Sequence, residues 1–339
     1  MEAHVVTELS PWAGQLVSDA AGMEWPLWRL EKYEALGNDF LVVVLEESES
    51  AGLGREPALL ADWAQSLCDR HRGVGADGLL ALWVGSDERR PASGRQQAAG
   101  HPGMSSEALP VVAMTLWNAD GTLAETSGNG LRVSAHAVRR SSLAAKTPFL
   151  ISTRAGSRIV RSVELVSARE ALVSVDMGTP VVQALDAGLA AALSALVPWS
   201  AVFVDVGNPH LVLVAQDPVA LAEIDLVALA QQIYSVLGRE VNLEVAAWHQ
   251  GSSSQDNKET ASRARFSIRV HERGVGETEA CGSGSVAVAK ALGSLGLAHG
   301  SVEVVSAGGS LSVDWEGDRA WLTGPSRWVA NLEVTGPRP

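Results

Sequence analysis

The segment AETSGNGLRVSAHAV (residues 124–138) lies over TEACGSGSVAVAKAL (278–292), and this internal repeat constrains the fold more than any other feature of the chain. It sets Glu125 on Glu279, Gly128 on Gly282, Gly130 on Gly284 and Ala135 on Ala289, so that Ser127 falls on Cys281. Nine residues upstream of each centre a polar residue ends a strand-like run, Asn118 in LWNADG and Glu272 in VHERGVG; farther upstream, LGND (36–39) matches VGNP (206–209). Three landmarks in one order imply two halves built on one plan. The spacing from Asn38 to Ser127 exceeds that from Asn208 to Cys281 by 16 residues, and a stretch rich in Gly, Pro, Ser and charge from Gly85 to Pro110 is long enough to absorb the excess.

Between its breaks the chain is mostly short alternating apolar patterns, the period of half-buried strands, with helical periodicity in ALLADWAQSLCDRH, LRVSAHAVRR, LVALAQQIYSVL and SVAVAKALGSLGL. The expectation is an α+β fold with mainly antiparallel strands and few helices. Residues 1–26 read as a peripheral N-terminal extension, because the first clear strand pattern begins at Leu27. The 85–110 stretch reads as an exposed loop and HQGSSSQDNKETASRAR (249–265) as a long hairpin tip.

A net charge of −13, from 39 acidic and 26 basic residues, argues against a nucleic-acid or anionic-membrane partner. No stretch approaches the roughly 20 apolar residues of a membrane span. The first 28 residues contain no Lys or Arg, so the charged start of a signal peptide is missing. Two cysteines, Cys68 and Cys281, cannot make a disulfide framework or a thiolate-rich metal site; a reducing compartment, the cytoplasm, is expected. The eight histidines show no ligand spacing, and no metal is expected. GVGADG from Gly73 has the form GxGxxG but follows a helical run rather than a strand, so no dinucleotide is expected. Cys68 lies on the inward rhythm of that helical run and reads as core.

The two repeat centres carry the chemistry. Each is a small residue or a thiol followed by Gly-x-Gly and a helical segment, which puts its side chain at a helix N-terminus, where free N–H groups and the dipole favour an anion. Glycines let a carboxylate approach the backbone closely. A cysteine so placed has its thiolate favoured, which makes Cys281 a candidate nucleophile or general base.

Taken together, these residues make the chain resemble the diaminopimelate epimerases, pyridoxal-phosphate-independent enzymes of bacterial lysine and peptidoglycan precursor synthesis. The resemblance rests on LGNDF (36–40), CDRHRGVGADGLL (68–80), NADG (118–121), GNGLR (128–132), GNPH (207–210), NLE (242–244), ERGVGETEACGSG (272–284) and GGSL with TGP (308–325). It implies two pseudo-symmetric α+β domains, each a barrel-like, mainly antiparallel sheet around a central helix. Their expected bounds are 27–172, with the 85–110 insertion and completed by 326–339, and 173–325. It implies a site between the halves, with diaminopimelate as substrate, no cofactor, and a homodimer. By the same resemblance Asn38, Asn118, Asn208, Asn242, Glu272 and Arg273 hold the substrate's distal amino acid end. Backbone groups of Gly128, Asn129, Gly282 and Ser283 hold the reacting carboxylate.

The resemblance further implies two-base proton transfer at the α-carbon, one thiolate removing a proton from one face while a thiol delivers one to the other. Cys281 supplies one carrier, and Ser127 stands where the second cysteine is expected. An alkanol is a far weaker acid than a thiol, which ionises near pH 8.5 in model compounds, so slower or face-biased chemistry is expected. A naturally serine-bearing epimerase, an introduced Cys→Ser change, one-face chemistry such as elimination from a β-substituted amino acid, another amino acid racemase of the same superfamily, and a catalytically impaired or non-catalytic amino-acid-binding homologue are the open alternatives.

Overall fold

The computed structural model describes residues 16–18, 24–46, 57–84, 109–124, 127–141, 147–215, 217–249 and 263–335. Most of the expected extension (1–26), loop (85–110) and hairpin tip (249–265), and Glu125 of the repeat, lie outside the described residues. The first half of the chain runs β1 (Leu16–Ser18), β2 (Glu24–Ala35), β3 (Asn38–Glu46), α1 (Pro57–Cys68), β4 (Gly78–Val84), β5 (Val111–Asn118), α2 (Gly128–Arg140), β6 (Phe149–Thr153), β7 (Gly156–Leu165) and β8 (Glu170–Gly178). The second runs β9 (Val181–Gln183), α3 (Ala187–Leu196), β10 (Ser200–Asp205), β11 (Pro209–Val214), α4 (Pro218–Glu223), α5 (Leu226–Leu237), β12 (Asn242–Trp248), β13 (Ala264–Glu272), β14 (Gly276–Thr278), α6 (Gly282–Ser294), β15 (Val302–Ser306), β16 (Gly309–Glu316) and β17 (Arg319–Thr335). This is a mixed fold of helices and strands in which strands predominate. β2 begins at Glu24, three residues ahead of the strand start read from the sequence.

Strands β2 to β8 pair in chain order, and β17 pairs with both β8 and β2, so these eight strands close into a barrel. From β2 to β8 successive pairings are antiparallel, parallel, antiparallel, parallel, antiparallel and antiparallel. From β10 through β11, β12, β13, β15 and β16 to β17 the same order of orientations recurs. A parallel pair needs a long crossover. The four parallel joints are accordingly spanned by α1, by α2, by α4 with α5, and by α6. Helices α3 and α4 are additional to the four read from sequence periodicity. Their signals are local: Asp186 caps the Leu189 N–H, and Asp217 caps the Val219 N–H just before Pro218.

Helix α2 lies in the core, with every residue from Gly128 to Val138 buried, and α6 is buried over most of its length. Close packing on all sides favours slim residues, and Gly, Ser, Ala and Val make up most of α6 and about half of α2. Other helices cover the outside of the strands. Leu60, Trp63, Leu67 and Cys68 of α1 pack against Leu41, Val43, Leu79 and Ala81, while the opposite faces of β3 and β4 turn Val42, Leu80 and Leu82 toward α2. β4 is therefore covered on both sides and reads as the unbroken run GLLALWV. β5, with one face toward solvent, alternates.

His136 of α2 is fully buried; its Nδ1 meets Ser326 Oγ at 3.1 Å and its ring stands edge-on to Tyr33. Burial, then the nearby Arg140, push its pKa from 6.5 down to about 4. An unfolded chain protonates this histidine below about pH 6.5, whereas the folded chain resists until about pH 4. Stability is therefore complete above that window and is lost as pH falls through it. The expected loss from this residue is about 3 kcal/mol. Denaturant titrations across the window should show it, and His136→Leu should flatten the slope.

Candidate active site

Ser127 and Cys281 occupy the same position on two helices of 13 residues each. Both are N-caps in extended backbone, at φ −131° and −126°, and each accepts the N–H three residues on. Ser127 Oγ accepts from Gly130 N at 2.9 Å and Cys281 Sγ from Gly284 N at 3.3 Å. The upstream landmarks also coincide in structure. Asn118 ends β5 and Glu272 ends β13, while Gly37 and Gly207, each next to its asparagine, both adopt left-handed backbone at φ +92° and +100°.

The two helix mouths touch. A methyl placed on Gly282 would stand 2.9 Å from Gly128 Cα, and one on Gly128 would stand 3.1 Å from Gly282 Cα, with Leu322 Cδ2 3.0 Å from both. Backbone on both sides leaves little room to yield. Gly282→Ala is expected to destabilise the protein by about 1–3 kcal/mol, the usual range for overpacking, as read by scanning calorimetry. An unchanged melting temperature would mean that the mouths part freely.

A chain of amides links the halves. Asn129 Nδ2 donates to Asn38 Oδ1 and, at 3.3 Å, to Ala280 O, the residue before Cys281. Asn38 Nδ2 donates in turn to Asp77 Oδ2 at 3.2 Å. With its oxygen engaged and one N–H committed, Asn38 retains one N–H for an acceptor such as a carboxylate. Asn242 Oδ1 accepts the Arg273 N–H at 3.0 Å, and Asn118 donates to Thr122 within its own turn. Asn208 Oδ1 meets His210 Nε2 at 3.0 Å, and His210 Nδ1 meets Glu244 Oε1 at 2.7 Å, with both partners of that second contact fully buried. Glu244 packs on the first turn of α6, where a methyl on Gly284 would lie 2.5 Å from its Oε1. Ser283 Oγ lies 3.4 Å from Cys281 Sγ.

The electrostatics correct one expectation. A helix mouth alone favours a thiolate, yet burial pushes the Cys281 thiol well above its ordinary value, and Glu272 and Glu244 push the same way. The Ser283 hydroxyl and the Gly284 N–H pull downward and are outweighed. Withdrawing a thiolate from water, next to two carboxylates, costs more than one helix terminus returns. Burial likewise raises Glu272, against the opposing hydrogen bond from Thr278 Oγ1 at 2.6 Å and a weaker one involving Cys281. Cys281 is 5% exposed. Ser127 instead borders a small surface cleft with Thr115, Thr153, Arg154 and Arg158, and Cys281 does not line it. Cys68 is buried in the α1 core, where burial pushes its thiol up to about 12.

Asp77, Arg132, His210, Glu244 and Thr278 also belong to this constellation, although sequence reasoning assigned them no role. Each sits inside or beside a short stretch already singled out: GADG, GNGLR, GNPH, NLE and GETEACG. The available signal was a charged or polar residue set beside the glycine-rich turns and strand ends of the two halves.

The diaminopimelate epimerase family model matches residues 32–183 and 202–329. The diaminopimelate epimerase of Corynebacterium glutamicum (strain R) is 36% identical over 315 residues, covering 89% of this chain and 96% of the relative. That of Rhodococcus erythropolis is 38% identical over 307 residues, covering 88% and 93%. Among solved structures, a phenazine biosynthesis protein of the PhzF family from Bacillus anthracis superposes with a TM-score of 0.61 over 91% of this chain and 99% of that one. At 12% identity that likeness is one of fold. The match over most of the sequence, and relatives above a third identical over nearly their whole length, place the chain in the diaminopimelate epimerase family.

Proposed function

We propose that this protein interconverts L,L- and meso-diaminopimelate in the cytoplasm without a cofactor, by two-base proton transfer at the α-carbon. Cys281 serves one face and Ser127 the other. The observation that carries this reading is the equivalence of Ser127 and Cys281 as N-caps of two helices whose first residues touch. Inversion needs proton carriers on opposite sides of one carbon, and two like halves facing each other supply them. The halves are 27–172, completed by 326–339, and 173–325, each a barrel around its helix, and the working unit is a homodimer.

In this reading the N–H groups of Gly128, Asn129, Gly282 and Ser283 hold the reacting carboxylate, where helix termini stabilise charge that develops on the α-carbon. Asn38, Asn118, Asn208, Asn242, Glu272 and Arg273 hold the distal amino acid end. Cys281 rests as a thiol, so to act as base it first passes its proton to the Glu272 carboxylate beside it, and the thiolate so formed takes the α-proton from one face while the Ser127 side delivers a proton to the other. Ser127, beside its cleft, works by donating its hydroxyl proton or by holding a water, which makes its face the slower one.

The test is incubation of purified protein with L,L-diaminopimelate and chiral chromatography of the product. Formation of the meso isomer is the expected result; no conversion of either isomer, with the protein folded, overturns the reading. A keto acid formed from a β-substituted amino acid instead would identify one-base elimination driven by Cys281 alone. Calorimetric binding of diaminopimelate without any conversion would identify an amino-acid-binding homologue.

A further inference from the structure

Arg132 lies four residues into α2 and is fully buried. Among the described residues it donates to three neutral acceptors: Nη2 to Asn129 Oδ1 at 2.7 Å, Nη1 to Gly128 O at 3.1 Å and Nε to Pro325 O at 3.3 Å. A buried cation satisfied this way keeps its whole charge available to its surroundings, at a desolvation cost that an apolar residue would avoid. Its partners bracket Cys281 along the chain. Asn129 donates to Ala280 O on one side, and Gly128 abuts Gly282 on the other. A methyl on Gly324 would stand 2.2 Å from Leu311 Cδ2 and 3.2 Å from Arg132 Nε, so the glycine lets both side chains pack there.

We propose that Arg132 is a positioning residue that sets a buried positive charge at the two helix mouths, holding them together through Gly128 and Asn129 and stabilising the Cys281 thiolate. The charges it works against are Glu272 of β13, Glu244 of β12 with its partner His210 of β11, and Glu34 of β2. Burial lowers the Arg132 pKa to about 10, which leaves it charged at neutral pH, while the Cys281 thiolate and Glu34 act to keep its proton on. Through Gly128 and Asn129 the guanidinium reaches both chain neighbours of Cys281, Gly282 and Ala280. The role of that charge in catalysis rests on the epimerase reading; its effect on the thiolate does not.

The experiment is an ultraviolet thiolate titration of Cys281, taken as the difference between each protein and its Cys281→Ala counterpart, in the wild-type, Arg132→Met and Arg132→Lys backgrounds. No substrate is needed, so failure here is separable from failure of the proposed reaction. Arg132→Met, close in volume and free of a charge to bury, should raise the Cys281 titration by at least about one pKa unit, roughly tenfold less thiolate at a given pH. Arg132→Lys should hold it within about half a unit, by keeping the charge. A folded Met variant with an unmoved titration overturns the proposal. Should the Met variant not fold, Arg132→Lys decides: a titration raised by more than about one unit despite the retained charge overturns it, and an unmoved one supports it.

Discussion

Replacing Ser127 with cysteine should raise the rate of L,L- to meso-diaminopimelate conversion by about 10²–10⁴-fold, the span that a well-matched acid–base group contributes. The exchange asks little of the fold. Serine caps the Gly130 N–H at 2.9 Å, and in the other half a cysteine makes the same contact with Gly284 N at 3.3 Å. The loss of the stronger cap should cost no more than about 1 kcal/mol. The gain is chemical, because a thiol can give up and recover a proton near neutral pH whereas an alkanol resists losing one. Ser127 is also only half-buried, whereas Cys281 is buried, so a thiol at 127 meets less of the desolvation that raises its counterpart. Initial rates by chiral chromatography measure the effect. An unchanged rate would mean that the proton does not travel through this position.

Cys281→Ala should lower α-proton exchange by at least about 10²-fold, because it removes the one thiol at the helix mouths and leaves a methyl that cannot carry a proton. The pH dependence should identify the same group. Abstraction needs the thiolate, and burial with Glu272 and Glu244 raises the pKa at which it forms. Exchange in the wild-type protein should therefore climb with pH through and beyond the ordinary cysteine range, and this rising limb should vanish in the variant. Gly282→Ala leaves the thiol in place but disturbs the mouths, so it should lower the rate while keeping the limb.

Much of this was legible in the sequence because the controlling features are local. The N-caps, the Gly-x-Gly turns and the polar strand ends lie within a few residues of one another in each half, and α5 appears at LVALAQQIYSVL as periodicity predicts. The short α4 was not legible, since six residues give too little periodicity, and in α3 the near-uniform run AGLAAALSAL blurs the contrast between faces. The parallel joints between β3 and β4 and between β11 and β12 escaped notice because strand orientation is decided by the crossovers, not by alternation along a strand. At the site, the raised Cys281 thiol depends first on burial and then on Glu272 and Glu244, which come from β13 and β12. Arg132 looked like one basic residue among 26, and only its complete burial beside Gly128 and Asn129 sets it apart.

The most direct test of two-base chemistry at Ser127 and Cys281 is to incubate the protein separately with L,L- and meso-diaminopimelate in heavy water and follow the α-carbon by NMR together with the stereoisomer balance. Deuterium entering as each isomer converts into the other is the expected result. Deuterium entering with full retention of configuration, or no deuterium from either isomer, would contradict it.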